Sequence, residues 1–250
     1  MTMESQTFPI GIEEEFFLVD RWTREVAENP PQTLITDCEV ELGDQVSAEY
    51  LRCQIEINTR ICTSLEEARR EIAHLRGAVA RNAWRHGLVP IAAATHPFAR
   101  WTDQLLTDKR RYYEVEHELK AVGSRMAICG LHVHVGIDDD ELRIRLMNGM
   151  RCFLPYLLAL STSSPFWQGR STGLKSFRTA VNDSTPRKGI PERFGSWAEY
   201  AETVNMLVDT GVIEDTSKIW WDLRPSARFP TLELRIADAC PLIDDSICIA

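Results

Sequence analysis

The chain has 250 residues and carries 28 Lys and Arg against 37 Asp and Glu, a formal net charge of −9. Hydrophobic residues make up 44% and charged residues 26%, which excludes a disordered or fibrous chain. The acidic balance argues against nucleic-acid partners, and the apolar runs are shorter than the roughly 18 residues of a membrane helix. The N-terminal stretch MTMESQTFPIG has no basic run followed by an apolar one. We therefore expect a cytoplasmic protein with no leader and no membrane partner.

Seven cysteines are spread along the chain without a CxxC pair, so a zinc ribbon or a thioredoxin-like site is not supported. Cys53 and Cys129 alternate with apolar neighbours in strand-like runs, which predicts small residues buried in the core. We therefore expect free thiols rather than a disulfide framework.

Hydrophobic patterns of period 2 and period 3.6 alternate along the chain, which predicts interleaved strands and helices. The predicted strands are residues 10–19, 50–58, 88–94, 126–137, 218–223 and 231–237. The predicted helices are residues 64–87, 108–122, 140–160 and 197–210. Ser64 and Glu67 fit a capping box for the first helix, and Pro155 bends or breaks the third. Residues 169–195 are predicted to be a long loop with a functional role, and residues 244–250 to begin a helix.

Four of these strands place carboxylates, imidazoles and other polar groups, but no lysine, on one face. The polar positions are Glu13 and Glu15; Arg52, Gln54, Glu56 and Asn58; His132 and His134; and Thr231, Glu233 and Arg235. Glu14 points the other way, with Ile12 and Phe16, because side chains alternate along a strand. An antiparallel sheet with helices on its apolar face would gather the polar set on its other face.

Carboxylates that converge in this way repel one another, by nearly 3 kcal/mol for a pair about 6 Å apart at an effective dielectric of 20. The carboxylates of such a cluster must be separated by water, protonated or neutralised by cations. Two carboxylates on the same face of a strand lie about 6.6–7 Å apart, which leaves room for two divalent ions about 3.5–4 Å apart. Glutamate oxygens favour Mg²⁺ or Mn²⁺ over zinc. The alternative is a solvated sheet face that binds nothing.

The sequence contains neither a GxSxG nucleophile motif nor a GxxxxGK[ST] loop, so a nucleotide would be held by metal ions and arginines. Six segments together resemble the carboxylate–amine ligase branch of the glutamate–cysteine ligase family, which is similar in turn to glutamine synthetases. They are GIEEEF (11–16), QIEINT (54–59), THPF (95–98), GLHVHVG (130–136), WWDLRPS (220–226) and LELRIAD (232–238). Family members continue beyond the point where this chain stops, so we expect residues 1–250 to be a single catalytic domain, truncated at its C-terminus.

The resemblance implies an α+β fold, mainly an antiparallel sheet with helices packed on one face and a polar concave face for the active site. That face would bind Mg²⁺ or Mn²⁺, ATP and an amino-acid carboxylate. The implied metal ligands are Glu15, Glu49 and Glu56 for one ion and Glu13, His132 and Glu233 for a second. The implied nucleotide-binding residues are His134, Arg178, Arg224 and Arg235, of which Arg178 and Arg235 would be catalytic because they neutralise the phosphates.

The implied reaction is ATP-dependent amide formation through an acyl phosphate. Its glutamate–cysteine ligase form joins L-glutamate to L-cysteine, as in glutathione biosynthesis, and releases ADP and phosphate. The sequence leaves open which amine and which carboxylate react, and whether the chain forms a homo-oligomer. Two rival functions remain at this point: a dinuclear metal-dependent hydrolase or phosphotransferase, and a non-catalytic metal- or nucleotide-binding module. An arginine pair at phosphate positions favours the ligase.

Overall fold

The computed structural model describes residues 8–250, and residues 1–7, on which the expected lack of a leader depends, lie outside the described residues. The strands of this part are β1 (Ile10–Asp20), β2 (Val46–Ala48), β3 (Gln54–Asn58), β4 (Leu88–Ile91), β5 (Leu131–Gly136), β6 (Phe166–Trp167), β7 (Arg170–Ser171), β8 (Lys188–Gly189), β9 (Trp220–Trp221), β10 (Leu223–Pro225) and β11 (Thr231–Leu234). The helices are α1 (Gln32–Leu42), α2 (Leu65–Arg85), α3 (Arg110–Leu119), α4 (Asp140–Met150), α5 (Leu154–Ser161), α6 (Phe177–Asn182), α7 (Trp197–Asp209) and α8 (Ile243–Ile249). None of the helices within residues 8–250 is long and apolar enough to cross a membrane.

Seven strands form one antiparallel sheet in the order β10–β11–β5–β1–β3–β2, with β4 pairing with β1 beside that path. One face of the sheet packs on helices: Ile12 and Leu131 share a buried cluster with Ile72 of α2 and Met147 of α4. The opposite face is polar in its middle. The predicted α+β fold with a mainly antiparallel sheet is therefore confirmed.

The polar face ends where β1 turns apolar on that side. Phe17 and Val19 follow Glu15 at intervals of two and are buried, together with Cys53 and Cys129. Helix α3 packs there, through Tyr112. The polar groups thus lie in a depression that has α3 as one wall, which is the concave face that the family resemblance implies.

The polar face predicted for residues 50–58 is wrong at one position, Arg52. Strand β3 begins at Gln54, because the backbone N–H of Gln54 bonds the carbonyl of Leu51 at 2.9 Å and closes a turn before the strand. Arg52 lies in that turn and donates through Nε to the carbonyl of Leu106 at 2.9 Å. Arg52 therefore does not belong to the polar face.

Helix α2 begins and ends as its predicted capping signals indicate. Ser64 accepts a hydrogen bond from the backbone N–H of Glu67 at 3.2 Å, and Gly87, with a φ of +75°, follows the end of α2. Residues 140–160 divide into α4 and α5, and Pro155 occupies the first turn of α5, where it lacks no helical bond. Helix α1, which has no side-chain cap, and helix α6, inside the predicted long loop, were not predicted.

Glu14 occupies the helix-covered face, as its alternation predicts, and is 1% exposed. Arg76 of α2 forms two hydrogen bonds of 2.7 Å with its carboxylate, and the hydroxyl of Ser246 donates a third at 2.6 Å. This network joins β1, α2 and α8 behind the polar face. All seven cysteines are free thiols, and Cys53 and Cys129 are buried as predicted.

We expect Glu14→Gln to lower the free energy of unfolding by about 3 kcal/mol, because it leaves the Arg76 guanidinium buried without its charged partner. Urea unfolding followed by circular dichroism measures this change. The matched control is Glu66→Gln, since Glu66 pairs with Arg70 in an exposed ion pair at 3.4 Å and should contribute almost nothing. Equal effects of the two substitutions would contradict a stabilising role for the Glu14–Arg76 pair.

Candidate functional site: two carboxylate clusters on the sheet face

The strand register brings the predicted site residues into pairs. Glu15 of β1 lies opposite Glu56 of β3, and Glu13 lies opposite His132 of β5. Strand β5 also pairs with β11, and in that pair His134 lies opposite Glu233. Directly opposed residues share a face of the sheet with Cβ atoms about 4.5–5.5 Å apart. The register alone therefore concentrates acidic groups at the centre of the face.

The first cluster consists of Glu15, Glu49 and Glu56, whose carboxylate oxygens lie within 4.8 Å of one another. Glu15 accepts the backbone N–H of Gly130 at 2.6 Å, and Glu56 accepts the side-chain amide of Asn58 at 3.1 Å. Glu49 lies just after β2 and accepts the backbone N–H of Tyr50 at 2.5 Å. The predicted first triad is therefore brought together by the fold.

Protonation within this first cluster shows how strongly its members interact. Burial, and next the charge of Glu15, raise the pKa of Glu49 to about 7. Burial, and next the charge of Glu49, raise the pKa of Glu56 well above its ordinary value. The carboxylates thus need protons or a cation to lie this close. Three carboxylate oxygens are a donor set that suits a hard divalent cation such as Mg²⁺ or Mn²⁺.

The second cluster consists of Glu13, His134 and Glu233, with ligand atoms again within 4.8 Å of one another. It differs in one member from the predicted set, which had His132 in place of His134. His134 lies beside Glu233 because of the strand register, whereas Nδ1 of His132 contacts Oε2 of Glu13 at 3.0 Å.

The ring of His134 is oriented as a metal ligand requires. Its Nδ1 lies 2.9 Å from the hydroxyl of Thr231, whereas its buried Nε2 faces the carboxylate of Glu13 without a well-aligned hydrogen bond among residues 8–250. Nε2 lies 3.2 Å from Oε1 of Glu13. An imidazole nitrogen grouped with two carboxylates fits a divalent cation, and the contact with Thr231 holds the ring in this orientation.

Unlike the first cluster, the second is already partly neutralised by the protein. Arg224 donates to Glu233 through Nε at 2.9 Å and Nη2 at 3.3 Å, and Arg235 bonds the same carboxylate. Burial opposes ionisation, but Arg235 and Arg224 lower the pKa of Glu233 to about 2. Burial likewise opposes ionisation of Glu13, whose pKa is nevertheless lowered by its close contacts with His132 and His134. Burial, and next the charge of Arg235, lower the pKa of His132.

The predicted arginines are held in different ways. Arg178 and Arg235 line the cavity, and the Arg178 guanidinium donates to the carbonyls of Ile236 and Arg235 at 3.1 Å each. Arg224 also reaches the cavity, but its guanidinium is engaged by Glu233 and by the carbonyls of Ser217, at 3.2 Å, and Ile219.

Both clusters open into one cavity of about 520 Å³. Its wall includes three cations and two aromatic side chains that the strand patterns did not predict, Lys109, Arg111, Arg228, Trp220 and Phe229. Arg111 belongs to α3 and Lys109 directly precedes it, Trp220 belongs to the two-residue strand β9, and Arg228 and Phe229 lie between β10 and β11. None of these segments has a period-2 alternation long enough to mark the inward side. A larger, more open cavity of about 860 Å³ lies between α3 and residues 211–218 and contains neither cluster. His96 of the THPF segment lines neither cavity. Its Nε2 lies 2.9 Å from the carbonyl of Arg24, in the segment that follows β1.

The family model "Glutamate-cysteine ligase family 2" matches residues 9–250. The chain belongs to this family. Proteins named "Putative glutamate--cysteine ligase 2" are 54% identical over 246 residues in Paracoccus denitrificans and 52% identical over 252 residues in Rhodospirillum rubrum. The matches cover 98% and 99% of this chain but 65% of each relative.

Solved structures with the same fold have much lower sequence identity. A bifunctional glutathione synthetase from Pasteurella multocida has a TM-score of 0.74 at 16% identity, over 96% of this chain and 37% of that one. A glutamate–cysteine ligase from Francisella tularensis in complex with AMP has a TM-score of 0.66 at 13% identity, over 93% and 61%. Plasmodium falciparum glutamine synthetase has a TM-score of 0.52 at 11% identity, over 97% and 50%. The glutamine synthetase-like fold is thereby confirmed.

For this member of glutamate-cysteine ligase family 2, we expect metal-free stability to fall as pH rises from about 5 to about 8. Because the pKa values of Glu49 and Glu56 are raised, the folded state binds more protons than the unfolded chain, and these protons stabilise the fold. This stabilisation is complete below the ordinary value of 4.5 and is lost as pH passes through the folded value, about 7 for Glu49. Thermal melts in chelator measure the fall.

Mg²⁺ or Mn²⁺ should reverse that fall, because a bound cation replaces the protons and stabilises the fold by about 2.7 kcal/mol at a hundred times Kd. Glu56→Gln should shrink both the pH effect and the metal effect. The control is Glu202→Gln, at an exposed position of α7, which should keep the wild-type behaviour. A flat pH profile together with a metal-independent melt would mean that the first cluster is a solvated surface.

Proposed function

We propose that the chain is an ATP-dependent carboxylate–amine ligase that forms an amide through an acyl phosphate, with residues 1–250 acting as one catalytic domain. The proposed reaction joins L-glutamate to L-cysteine and yields γ-glutamylcysteine, ADP and phosphate. The observation that carries this proposal is the convergence of two acidic clusters and two cavity-lining arginines, Arg178 and Arg235, in one cavity. Membership of the family and the names of the relatives support the choice of glutamate and cysteine.

The two clusters would hold the divalent cations, Mg²⁺ or Mn²⁺. The ligands of one would be Glu15, Glu49 and Glu56, and those of the other Glu13, His134 and Glu233, with His132 orienting Glu13. Bound cations of this type neutralise phosphate oxygens and orient a nucleotide. The choice of His134 over His132 as the ligand is supported by the position of His134, whose ring nitrogen lies within 4.8 Å of carboxylate oxygens of both Glu13 and Glu233.

Besides the cations, the arginines and the shape of the cavity would promote the two chemical steps. As the substrate carboxylate attacks the γ-phosphorus, the bond to ADP breaks and negative charge spreads over the transferring phosphoryl oxygens. Arg178 and Arg235 would stabilise that charge, and the cavity would hold the reactants in line. The amine then forms the C–N bond as phosphate leaves the acyl carbon with its bonding electrons. Neither step needs a nucleophilic side chain.

A dinuclear phosphohydrolase on the same carboxylates is the second candidate, because two carboxylate clusters lie side by side on the sheet. Its substrate would be a phosphoester, and it would need no amine. Amine dependence therefore separates the two functions.

We expect the chain to release ADP and phosphate from ATP only when Mg²⁺, glutamate and an amine are all present, tested over a panel of amines with cysteine included. Hydroxylamine in place of the amine should trap the acyl phosphate as a hydroxamate. Release of AMP and pyrophosphate would contradict the acyl-phosphate route, and hydrolysis of simple phosphoesters without ATP would favour the hydrolase.

We expect Glu56→Gln to lower turnover by about 10²-fold or more, because one charge is removed from the cation site with almost no change in volume. Its melting temperature without metal should stay the same or rise, since a repelling charge is lost. Glu233→Gln should lower turnover and also stability, because Arg224 and Arg235 lose their charged partner. Near-normal turnover of both variants would place the active site elsewhere.

A further inference from the structure

Arg178 projects from α6 to the cavity floor, and it is 4% exposed. Nη1 donates to the carbonyl of Ile236 and Nη2 to the carbonyl of Arg235, at 3.1 Å each. Its buried Nε has no hydrogen-bond partner among the residues that the structure describes. A buried guanidinium normally uses all of its N–H groups, so the unpaired Nε shows that the described residues do not fully satisfy the donors of Arg178.

A carboxylate behind Arg178 compensates its charge only in part. Asp238 is fully buried and lies 3.8 Å from Nη1 of Arg178. Three other donors already engage Asp238: the backbone N–H of Ser163 at 3.0 Å, the hydroxyl of Ser164 at 2.7 Å and the hydroxyl of Ser176 at 2.8 Å. Ser164 also accepts the backbone N–H of Arg178 at 3.1 Å. Asp238 and its serines therefore fix the start of α6, and Asp238 forms no close, direct hydrogen bond with the guanidinium.

On its other side, Arg178 packs against a residue that has no side chain. A Cβ atom at Gly130 would lie 2.5 Å from Nη2 and 3.2 Å from Cζ of Arg178. Gly130 does not adopt a positive φ, so space rather than backbone conformation is what requires glycine here. The N–H of the same residue donates to Oε2 of Glu15 at 2.6 Å. Gly130 thus lies between the first carboxylate cluster and the arginine.

We propose that Gly130 is a positioning residue for Arg178: the space left by its missing side chain sets the guanidinium on the cavity floor, beside the first carboxylate cluster. The Asp238–Ser164–Ser176 network holds the same arginine from behind. This inference rests on the proposed function in one respect only, that the anion received by Arg178 is a phosphate group of ATP.

The experiment compares Gly130→Ala with Gly149→Ala, a control at an exposed position of α4 where an added Cβ meets nothing within 4 Å. The probe is the Mg²⁺ complex of a non-hydrolysable ATP analogue, with affinity measured by calorimetry. Gly130→Ala should bind it at least about tenfold more weakly, because a charge-assisted contact is displaced. Melting shifts with Mg²⁺ alone should remain as in wild type, because alanine keeps the N–H that bonds Glu15. Gly149→Ala should match wild type in both measurements.

A double-mutant cycle separates positioning from a general structural effect. In an Arg178→Met background, Gly130→Ala should cause no further loss of nucleotide affinity if it acts through the arginine. An additive loss, or wild-type affinity in Gly130→Ala, would overturn the proposal. If Gly130→Ala does not fold, Ser164→Ala takes its place in the same cycle, since it removes the acceptor for the Arg178 N–H.

The positioning of Arg178 can be tested even if the proposed function is wrong. A wild-type chain that binds no nucleotide contradicts the ligase. Crystal structures of wild type and Gly130→Ala then test the positioning directly. The guanidinium should leave the carbonyls of Arg235 and Ile236 in the variant, and an unmoved guanidinium would overturn the proposal.

Discussion

Carboxylates that face one another across paired strands repel, and the polar face of this sheet places Glu15 directly opposite Glu56. Glu49 joins them from the end of β2, so three acidic oxygens meet within 4.8 Å. At about 6 Å and an effective dielectric of 20, each pair would repel by nearly 3 kcal/mol, and burial adds to that cost. The hydrogen bonds, the arginines and the cavity on this face are all arranged around that repulsion.

The protein meets this repulsion differently in its two clusters. Glu233 is paired with Arg224 and Arg235, and Glu13 interacts with two histidines, so both stay ionised with lowered pKa values. Among residues 8–250, Glu49 and Glu56 form no ion pair with an arginine or a histidine, and their pKa values rise instead. The first cluster is therefore the one whose charge most needs an external cation. A cation in the second cluster would have to share Glu233 with the arginines already bonded to it.

Much of this arrangement could be predicted from the sequence, because period-2 alternation assigns each residue of a strand to a face. Glu13 and Glu15 on one side of β1, with Glu14 on the other, followed from that rule alone. Alternation does not specify which residues of neighbouring strands lie opposite each other, so the pairing of Glu233 with His134 rather than His132 was missed. Arg52 was misplaced because the turn before β3 is not marked by glycine or proline. Arg111 lies on α3 and Lys109 directly precedes that helix, and neither residue carries a comparable signal.

The most direct test of the account is to locate manganese by anomalous diffraction in crystals of the chain soaked with Mn²⁺ and a non-hydrolysable ATP analogue. The account predicts one peak among the carboxylates of Glu15, Glu49 and Glu56 and a second at Nε2 of His134 beside Glu13 and Glu233. It also predicts phosphate density within hydrogen-bonding distance of Arg178 and Arg235. Manganese at neither position, with nucleotide bound elsewhere on the surface, would contradict it.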